Sequence, residues 1–573
     1  MIKRKTACLL SILVFTSSFI AAQPNSDKVA VKYHITKTLI CNNGAVVSGN
    51  AIASKVGLSI LKQGGNAVDA AIATQLALAV VYPGAGNIGG GGFMVAHLTS
   101  GSGQGKNISI DFRETAPAAA SRDMYLDANG NPQMNLSQEG HLSSGVPGTV
   151  AGVFAYMKYA KLPFKKLIQP AIDLAENGFS ISAIQAENFN INKEAFIKFN
   201  NSQPVFVKTN AWIKGDVLIQ KDLANTLKRI RDNGAKGFYE GETARLIVAE
   251  MKNGKGIITA EDLKNYKVKT RTPIVFNYKG NTVITMPLSS SGGIILEQMM
   301  MMTEKRNIAS MKFETAQSVQ LMTEIERRAY ADRAKFLGDA DFVKVPVKTL
   351  VSDAYLADRM KDFVEGKAGN SKDIQGGKTG HESEETTHFC VIDKEGNAVS
   401  VTTTLNNSFG SKTVISGAGF LMNDEMDDFS VKPGVPNLYG AVGAEANAIA
   451  PGKRMLSSMT PTIVLKNNKP YLIVGTPGGT TITTSVYQTL IDILEFNMST
   501  NDAVNKPKFH HQWLPDQIFV EEDFPEKVRN ELVMMGFTIK EREPIGRTEV
   551  IKITGNKIEA VADKRGEDDA EGY

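Results

Sequence analysis

A threonine stands where the composition of the chain changes most sharply. Thr386 and Thr387 open a strand-like run after residues 365–385, which hold one large apolar residue, Ile374, among Gly, Lys, Ser and Glu. Such a stretch cannot bury enough apolar surface to offset its ordering entropy, so we expect a mobile surface loop. A threonine hydroxyl is a weak nucleophile unless a base lies beside it, and cleavage before Thr386 would supply a new α-amino group as that base. The alternative is that the two threonines only begin a β-strand, as β-branched residues often do.

Two further features could assist such a nucleophile. Thr404 ends the second strand of a predicted hairpin, next to Thr386, where its hydroxyl could orient the nucleophile. Gly478 and Gly479 precede a predicted helix, and backbone N–H groups at the positive end of a helix dipole could hold an oxyanion. The alternative for this glycine pair is a simple tight turn.

Charged and polar residues elsewhere could hold an amino-acid head. Arg113 follows a predicted strand and suits bidentate binding of a carboxylate. Glu425 and the pair Asp427–Asp428, with Asn406, offer oxygens that suit an ammonium group. Together these groups predict a substrate with a free amino-acid head. Alone, each has a simpler explanation, such as a solvated helix cap for Asp427–Asp428.

Composition excludes several classes of protein. The 573 residues are 42% apolar and 22% charged, which is ordinary for a globular protein. Three charges of the formal +4 lie in Lys3, Arg4 and Lys5, so we expect no nucleic-acid partner, which needs a concentrated basic face. His510 and His511 lack a third ligand at a metal-binding spacing, so we expect no metal and no cofactor.

The N-terminus has the pattern of an export signal. Residues 3–5 are basic, residues 7–20 are mostly apolar, and Ala21-Ala22 form a small-residue exit. The competing interpretation is an uncleaved anchor, but the apolar run is shorter than the ~20 residues of a membrane span. We therefore predict a signal peptide over 1–22, with no membrane anchor after its removal. Only Cys41 and Cys390 then remain, too few for a disulfide framework.

Periodicity predicts the elements that position these residues. Helices are expected around residues 50–81, with Asn66 as a cap, and over 315–336 and 481–494. The glycine run 89–92 leads into a strand rather than a helix, which favours close backbone packing beneath a site over a phosphate loop. Residues 386–393 and 398–405 form the predicted hairpin, and further strands follow at 462–466 and 470–474. This order predicts an α+β fold with two sheets between helical layers.

In several blocks the chain closely resembles the γ-glutamyltranspeptidase family of N-terminal-nucleophile hydrolases. The blocks follow the family order over nearly the whole chain after the signal. They are residues 64–70, 89–93, 111–114, 145–149, 386–388, 406–410, 426–430, 433–439, 456–461, 477–479 and 509–513.

The resemblance implies a four-layer αββα sandwich and a precursor that cuts itself between Glu385 and Thr386. The products would be a large subunit of residues 23–385 and a small subunit of residues 386–573, which stay together as a heterodimer. By residue type and position, Thr386 is the expected nucleophile, Thr404 its hydrogen-bonding partner, and Gly478 and Gly479 the oxyanion hole. The other expected roles are α-carboxylate contacts at Arg113, Ser457 and Ser458, α-amino contacts at Asn406, Glu425 and Asp428, and a lid aromatic residue at Tyr439.

The implied substrates are glutathione and other γ-glutamyl compounds. The γ-glutamyl group would pass through an ester on Thr386 to water, an amino acid or a dipeptide, in the periplasm or outside the cell. Two alternatives stay open: a related self-processing acylase for glutaryl amides, and a non-enzymatic binding protein on the same scaffold. The set Arg113, Asn406, Glu425 and Asp428 argues against a glutaryl substrate, which lacks the ammonium group. The intact Thr386 argues against the second alternative.

Overall fold

Two seven-stranded β-sheets lie face to face and carry helices on their outer faces. The computed structural model describes residues 35–374, 386–437 and 440–573. The first sheet has the strand order β1-β18-β17-β13-β12-β9-β8, and the second has the order β19-β2-β10-β11-β3-β4-β7, with the bounds given below. Every neighbouring pair within these two sheets is antiparallel.

The strands are β1 Thr38–Cys41, β2 Ala45–Ser48, β3 Gly91–Leu98, β4 Lys106–Asp111, β5 Phe179–Ser180, β6 Val217–Leu218, β7 Lys269–Arg271, β8 Ile274–Tyr278, β9 Asn281–Thr285, β10 Thr387–Ile392, β11 Ala398–Thr404, β12 Thr462–Lys466, β13 Lys469–Gly475, β14 Phe509–His510, β15 Ile518–Val520, β16 Ile539–Glu541, β17 Glu549–Thr554, β18 Lys557–Val561 and β19 Asp569–Gly572.

The helices are α1 Ala51–Lys62, α2 Ala67–Val81, α3 Met134–Gln138, α4 Thr149–Tyr156, α5 Phe164–Asn177, α6 Ala183–Ile191, α7 Lys193–Lys198, α8 Lys221–Asn233, α9 Lys236–Tyr239, α10 Gly241–Asn253, α11 Ala260–Asn265, α12 Gly292–Glu304, α13 Ile308–Met311, α14 Ala316–Phe336, α15 Val347–Leu350, α16 Asp353–Arg359, α17 Thr481–Leu494, α18 Thr500–Asn505 and α19 Glu526–Met534.

Three apolar layers separate the four layers of secondary structure. One lies between the sheets and includes Phe93 of the second sheet and Ile473 of the first. A second joins the outer face of the second sheet to α1, α2, α4 and α5, and the third joins the outer face of the first sheet to α12, α14 and α17. Strand residues alternate between two buried layers, as Val399 and Val401 face the helices while Ser400 reaches the first sheet at Val474. The predicted αββα arrangement is confirmed.

Local signals in the sequence match the observed elements closely. Asn66 caps α2 in a capping box with Asp69, and α2 is buried all round, so its apolar composition reflects a helix covered on every side. The predicted hairpin is β10 and β11, paired from Thr387 and Thr403 to Ile392 and Ala398. The predicted helix at residues 481–494 is α17, with the same bounds.

The segment expected to be a mobile loop begins in an ordered conformation. Ser371 donates its N–H to Asp516 Oδ2 at 2.7 Å, and Gly369 donates to Glu324 Oε1 at 2.8 Å. Ile374 is buried, with its carbonyl accepting from Trp513 at 2.7 Å. Residues 365–374 thus form a surface loop without helix or strand, as predicted, and distant side chains anchor its backbone. The remainder, residues 375–385, lies outside the described residues, as does the predicted signal peptide.

Three further observations concern the described ranges only. No helix in them has the length and apolarity needed to cross a membrane. No group of three or more His, Cys, Asp or Glu side chains within them is arranged to hold a metal ion. Cys41 and Cys390 are both buried free thiols.

Candidate active site

Thr386 lies directly before β10, at the edge of a small pocket. The β10–β11 register pairs Thr387 with Thr403, which puts Thr386 beside Thr404. The hydroxyl oxygens of Thr386 and Thr404 are 3.5 Å apart, and Thr386 is only 4% exposed. Thr404 Oγ1 also accepts the backbone N–H of Asn406 at 2.8 Å, which fixes the rotamer of Thr404. The two threonines that the sequence predicted to be neighbours are neighbours.

The pocket gathers nearly all of the predicted site residues. It holds about 330 Å³ of space, open solvent included, and its walls combine residues from both halves of the chain. The predicted residues on its walls are Arg113, Thr386, Thr404, Asn406, Glu425, Asp428, Ser457, Ser458 and Gly479. Gly478 immediately precedes this wall. Tyr439, the predicted lid residue, lies outside the described residues.

Arg113 is the cationic centre of the pocket. It follows β4 by two residues and is fully buried, and its guanidinium donates to Glu425 Oε1 and Asp428 Oδ2. Its Nε donates to the Met455 carbonyl at 3.4 Å. Burial opposes the charge on Arg113, but the neighbouring carboxylates outweigh it and raise the pKa of Arg113. The planar fork of arginine, which a lysine cannot reproduce, binds two carboxyl groups at once.

The carboxyl groups around Arg113 are strongly perturbed. Glu425 and Asp428 bracket a short 3₁₀ turn, Glu425–Asp428, which brings both side chains to one guanidinium. Burial raises the pKa of Glu425 to about 8, with Arg113 opposing the rise and Asp428 adding to it. Burial, with Glu425 as a neighbour, also raises the pKa of Glu114 well above its usual value. Both carboxyl oxygens of Glu114 are buried and have no hydrogen-bond partner among the described residues. The pocket thus concentrates acidic groups that a cation would stabilise.

Ser457 and Ser458 also line the pocket, and the backbone of Ser289 and Ser291 holds Ser457 in place. Ser457 N donates to Ser289 O at 3.0 Å, and the Ser457 carbonyl accepts from Ser291 N at 2.8 Å. Ser458 Oγ accepts from Arg333 at 3.1 Å. These contacts bring serine hydroxyls and a second guanidinium to the same side of the pocket. This wall has the hydrogen-bond donors that a carboxylate needs.

The glycine pair forms the turn that leads into α17. Gly478 has φ 131 and Gly479 has φ 54, both in the region that side chains disfavour. The Gly478 carbonyl accepts from Thr481 N at 2.9 Å and from Thr481 Oγ1 at 2.7 Å, so this carbonyl is directed into the helix. The N–H groups of such a turn, at the start of a 14-residue helix, can stabilise a negative charge.

The glycine run predicted to lie beneath the site does so. A side chain at Gly90 would put its Cβ 2.1 Å from the Thr404 carbonyl, which is a clash. Thr404 O also accepts from Asn87 at 2.9 Å, so β11 is held at its end by this segment. The absence of side chains at residues 89–92 is therefore a packing requirement beneath the β10–β11 hairpin, as expected.

Sequence reasoning missed several residues of the pocket. Arg333, Asn437, Ala441, Met459, Thr480 and Ile482 also line it. Arg333 is 8% exposed and lies in the last turn of α14. The only signal for Arg333 in the sequence is its position near the C-terminus of a predicted helix. A basic residue in that position usually interacts only with the helix dipole, so the signal does not indicate a binding site. Asn437 donates to Asp428 Oδ1 at 3.2 Å, a contact that no local pattern indicates.

Comparison with known proteins agrees with the fold and the site. The profile of the family described as Gamma-glutamyltranspeptidase matches residues 53–573. A glutathione hydrolase proenzyme of Escherichia coli (strain K12) is 44% identical over 570 residues, covering 98% of this chain and 97% of that protein.

Solved structures agree as well. A crystal structure of Helicobacter pylori gamma-glutamyltranspeptidase matches with a TM-score of 0.56 and 43% identity, over 60% of this chain and 96% of that one. A cephalosporin acylase from Bacillus halodurans matches with a TM-score of 0.81 over 97% of this chain and 99% of that one. At 24% identity, this second likeness shows the fold alone. On the profile match and the 44% identity, the chain belongs to the γ-glutamyltranspeptidase family of acyl-transferring hydrolases.

Proposed function

We propose that this protein hydrolyses glutathione and other γ-glutamyl compounds, and transfers the γ-glutamyl group to amino acids or dipeptides, through an ester on Thr386. One observation carries the proposal. The hydroxyl of Thr386 shares a pocket with the buried guanidinium of Arg113, the buried carboxyl group of Glu425 and the partly buried one of Asp428, which are the counter-charges of an amino-acid head. The related E. coli protein named glutathione hydrolase proenzyme supports the choice of substrate.

The nucleophile would be made by cleavage of the chain between Glu385 and Thr386. In the precursor, Thr386 Oγ1 attacks the Glu385 carbonyl, and the Glu385–Thr386 C–N bond breaks, which leaves an ester and frees the α-amino group of Thr386. Hydrolysis of the ester then releases the Glu385 carboxylate and restores the Thr386 hydroxyl. That amine then acts as the base for each later attack by the same hydroxyl. Residues 23–385 and 386–573 would be the two subunits.

Acyl transfer then follows in two halves. Thr386 Oγ1 attacks the γ-carbonyl carbon and passes its proton to the α-amine. The N–H groups of Gly478 and Gly479 stabilise the oxyanion, at about 3–4 kcal/mol for each such donor. The leaving amine takes the proton, and a γ-glutamyl ester remains on Thr386. Water, or the amine of an acceptor, attacks this ester by the same steps in reverse.

On binding, the charged groups of the amino-acid head would replace the contacts that the charged residues of the pocket now make with one another. Arg113, Ser457 and Ser458 would bind the α-carboxylate, while Asn406, Glu425 and Asp428 would bind the α-ammonium. In the structure, Arg113 donates hydrogen bonds to both Glu425 and Asp428. A zwitterion adds one positive and one negative group, so the net charge of the pocket does not change, and Arg113 would exchange carboxyl partners without being left unpaired, which would be costly. Tyr439 is proposed as the lid residue on the family resemblance alone.

The proposed cellular location rests on the signal-peptide pattern of residues 1–22. We infer that residues 1–22 are removed on export and that the enzyme works in the periplasm or outside the cell, without a membrane anchor. Intact mass of the purified protein would test signal removal and self-cleavage together.

A substrate comparison tests the proposal directly. The purified protein should release p-nitroaniline from γ-glutamyl-p-nitroanilide and much less from glutaryl-p-nitroanilide, which lacks the ammonium group. Thr386→Ala, as the matched control, should release none from either. Equal or preferential cleavage of the glutaryl compound would reject the γ-glutamyl assignment and favour an acylase.

A further inference from the structure

A lysine and an aspartate are buried together beside the segment that carries Asn406. Lys412 is 4% exposed, although lysine is rarely buried without a partner. Its φ is 63, a left-handed conformation that favours glycine or asparagine. The Lys412 ammonium donates to the carbonyl of Ser408 and, at 3.3 Å, to that of Gly410. These hydrogen bonds join the side chain of Lys412 to the backbone of residues 408–410 and so stabilise the turn formed by residues 408–412.

Asp424 binds the three residues that precede this segment, Leu405, Asn406 and Asn407. Its N–H donates to Leu405 O at 3.0 Å, and its carbonyl accepts from Asn406 Nδ2 at 3.1 Å. Its carboxylate Oδ1 accepts from Asn407 N at 3.0 Å. Asp424 is fully buried, and its Oδ2 has no hydrogen-bond partner in the part of the chain that the structure describes.

These contacts fix the orientation of the Asn406 amide. Asn406 lines the pocket and has φ 80, so its backbone depends on support from its surroundings. An amide has a donor edge and an acceptor edge. With Nδ2 bound to Asp424 O, the acceptor Oδ1 is directed away from Asp424. An ammonium group requires that acceptor edge.

The two residues hold adjoining parts of one loop, because Asp424 binds Asn406 and Asn407 while Lys412 binds Ser408 and Gly410. Burial raises the pKa of Asp424 well above its usual value, and Lys412 is the main group that opposes the rise. Glu425 and Asp427, on the same turn, add to it. A buried carboxyl group beside two others is costly to ionise without a nearby cation. Lys412 is the cation that reduces this cost.

We infer that Lys412 and Asp424 form a positioning pair that orients Asn406, and with it the α-amino subsite, so that the pair contributes to selection of substrates that carry a free α-ammonium group. The inference rests on the proposed function and deepens it. Neither residue lines the pocket, so both act through Asn406 and its neighbours.

A double-mutant cycle tests the pair. The variants are Lys412→Gly, Asp424→Asn and the two combined, with Lys312→Gly as a control. Lys312 is exposed and has φ 66, so its substitution relieves the same backbone strain far from the pocket. Kinetics with γ-glutamyl-p-nitroanilide and glutaryl-p-nitroanilide give the discrimination ratio, while self-cleavage and the melting temperature report folding.

We expect each single variant to raise KM for the γ-glutamyl compound about tenfold, with a smaller change in kcat, because a misoriented subsite weakens binding of the head. The discrimination ratio should fall by a similar factor. The double variant removes both charges and should recover part of the loss, as coupled neighbours do. Lys312→Gly should leave every kinetic constant unchanged.

Two results would overturn the inference while leaving the proposed function intact. One is an unchanged discrimination ratio in both single variants, with or without a lower melting temperature. The other is strictly additive losses in the double variant. If the wild-type protein cleaves itself but does not hydrolyse γ-glutamyl-p-nitroanilide, the proposed function fails, and this inference fails with it.

Discussion

Thr404 supplies the hydroxyl that lies beside that of Thr386. The two oxygens are 3.5 Å apart, and Thr404 Oγ1 also accepts the N–H of Asn406. The Thr404 hydroxyl therefore lies beside that of Thr386, the proposed nucleophile, while a backbone donor fixes its direction. A side chain in this position can orient the attacking oxygen without taking part in bond formation.

We predict that Thr404→Val lowers kcat by roughly one to three orders of magnitude, because a misaligned nucleophile loses much of its proximity advantage. Self-cleavage should slow as well, since the same Thr386 hydroxyl attacks. The variant also leaves the Asn406 N–H without its acceptor, which should cost about 1–3 kcal/mol of stability. Thr404→Ser is the matched control, and steady-state kinetics with thermal melting separate the effects. Normal turnover in a correctly cleaved Thr404→Val protein would remove Thr404 from the site.

Glu425 should make substrate binding depend on pH. Its pKa is raised by burial to about 8, so it is mostly protonated at neutral pH. The ionised form binds an ammonium group better, so KM for γ-glutamyl substrates should fall as the pH rises through about 8. Glu425→Gln keeps an acceptor that does not titrate, and should remove this change. Titration of the substrate itself affects the wild-type protein and Glu425→Gln equally, so it cancels when the two are compared. Identical pH profiles of KM for the two proteins would contradict the role of Glu425.

Among the secondary-structure elements, the turn before α17 is the most constrained at the site. Gly478 has φ 131, and a Cβ there would lie 2.4 Å from Thr481 Oγ1. Both facts require glycine, and both concern the residue whose N–H is proposed to bind the oxyanion. The first turn of α17 and the proposed oxyanion hole therefore depend on the same glycine turn.

We predict that Gly478→Ala reduces kcat by roughly 10²–10³-fold, the usual effect of losing one oxyanion donor. The matched control is Gly555→Ala in the β17–β18 turn, which has φ 61 and nothing within 4 Å of the added Cβ. It should lose about 1 kcal/mol of stability with normal turnover. Equal kinetic losses in both variants would mean that backbone strain, and not the position of an N–H group, explains the effect.

Elements defined by local signals could be predicted from sequence, while long-range partners could not. The cap at Asn66, the β10–β11 hairpin and the bounds of α17 depend on residues close together in the chain. By contrast, β19 has the sequence Asp-Ala-Glu-Gly, residue types that strands disfavour, and it forms only because β2 pairs with it. Arg333 was missed for the same reason, since its contacts with Ser291 and Ser458 come from remote segments.

At the scale of the molecule, both sheets contain strands from each side of Thr386. In the second sheet β10, β11 and β19 come from the later part of the chain and the other four strands from the earlier part. In the first sheet β1, β8 and β9 come from the earlier part. Separation of the two proposed subunits would break ladders in both sheets and expose all three apolar layers. They should therefore stay together after cleavage.

We predict two fragments from the purified protein, with the smaller beginning at Thr386 and containing 573 − 385 = 188 residues. They should elute together in size-exclusion chromatography and separate only in denaturant. Thr386→Ala should remain one inactive chain. N-terminal sequencing that puts the start of the smaller fragment elsewhere would contradict the assignment of the nucleophile.

The two ends of the described chain lie side by side, because Ala570 N donates to Thr36 O at 2.8 Å and Thr36 N donates to Asp569 Oδ1 at 2.6 Å. A short Gly/Ser linker of roughly six residues could join Tyr573 to Ile35, since such a linker spans about 5–6 Å × √n. A circularly permuted gene could then begin at Thr386 and end at Ile374. After loss of the initiator methionine, its product would carry the nucleophile and its α-amine on a single uncut polypeptide. In that protein, the effects of substitutions such as Thr404→Val on turnover and stability could be measured free of any defect in maturation.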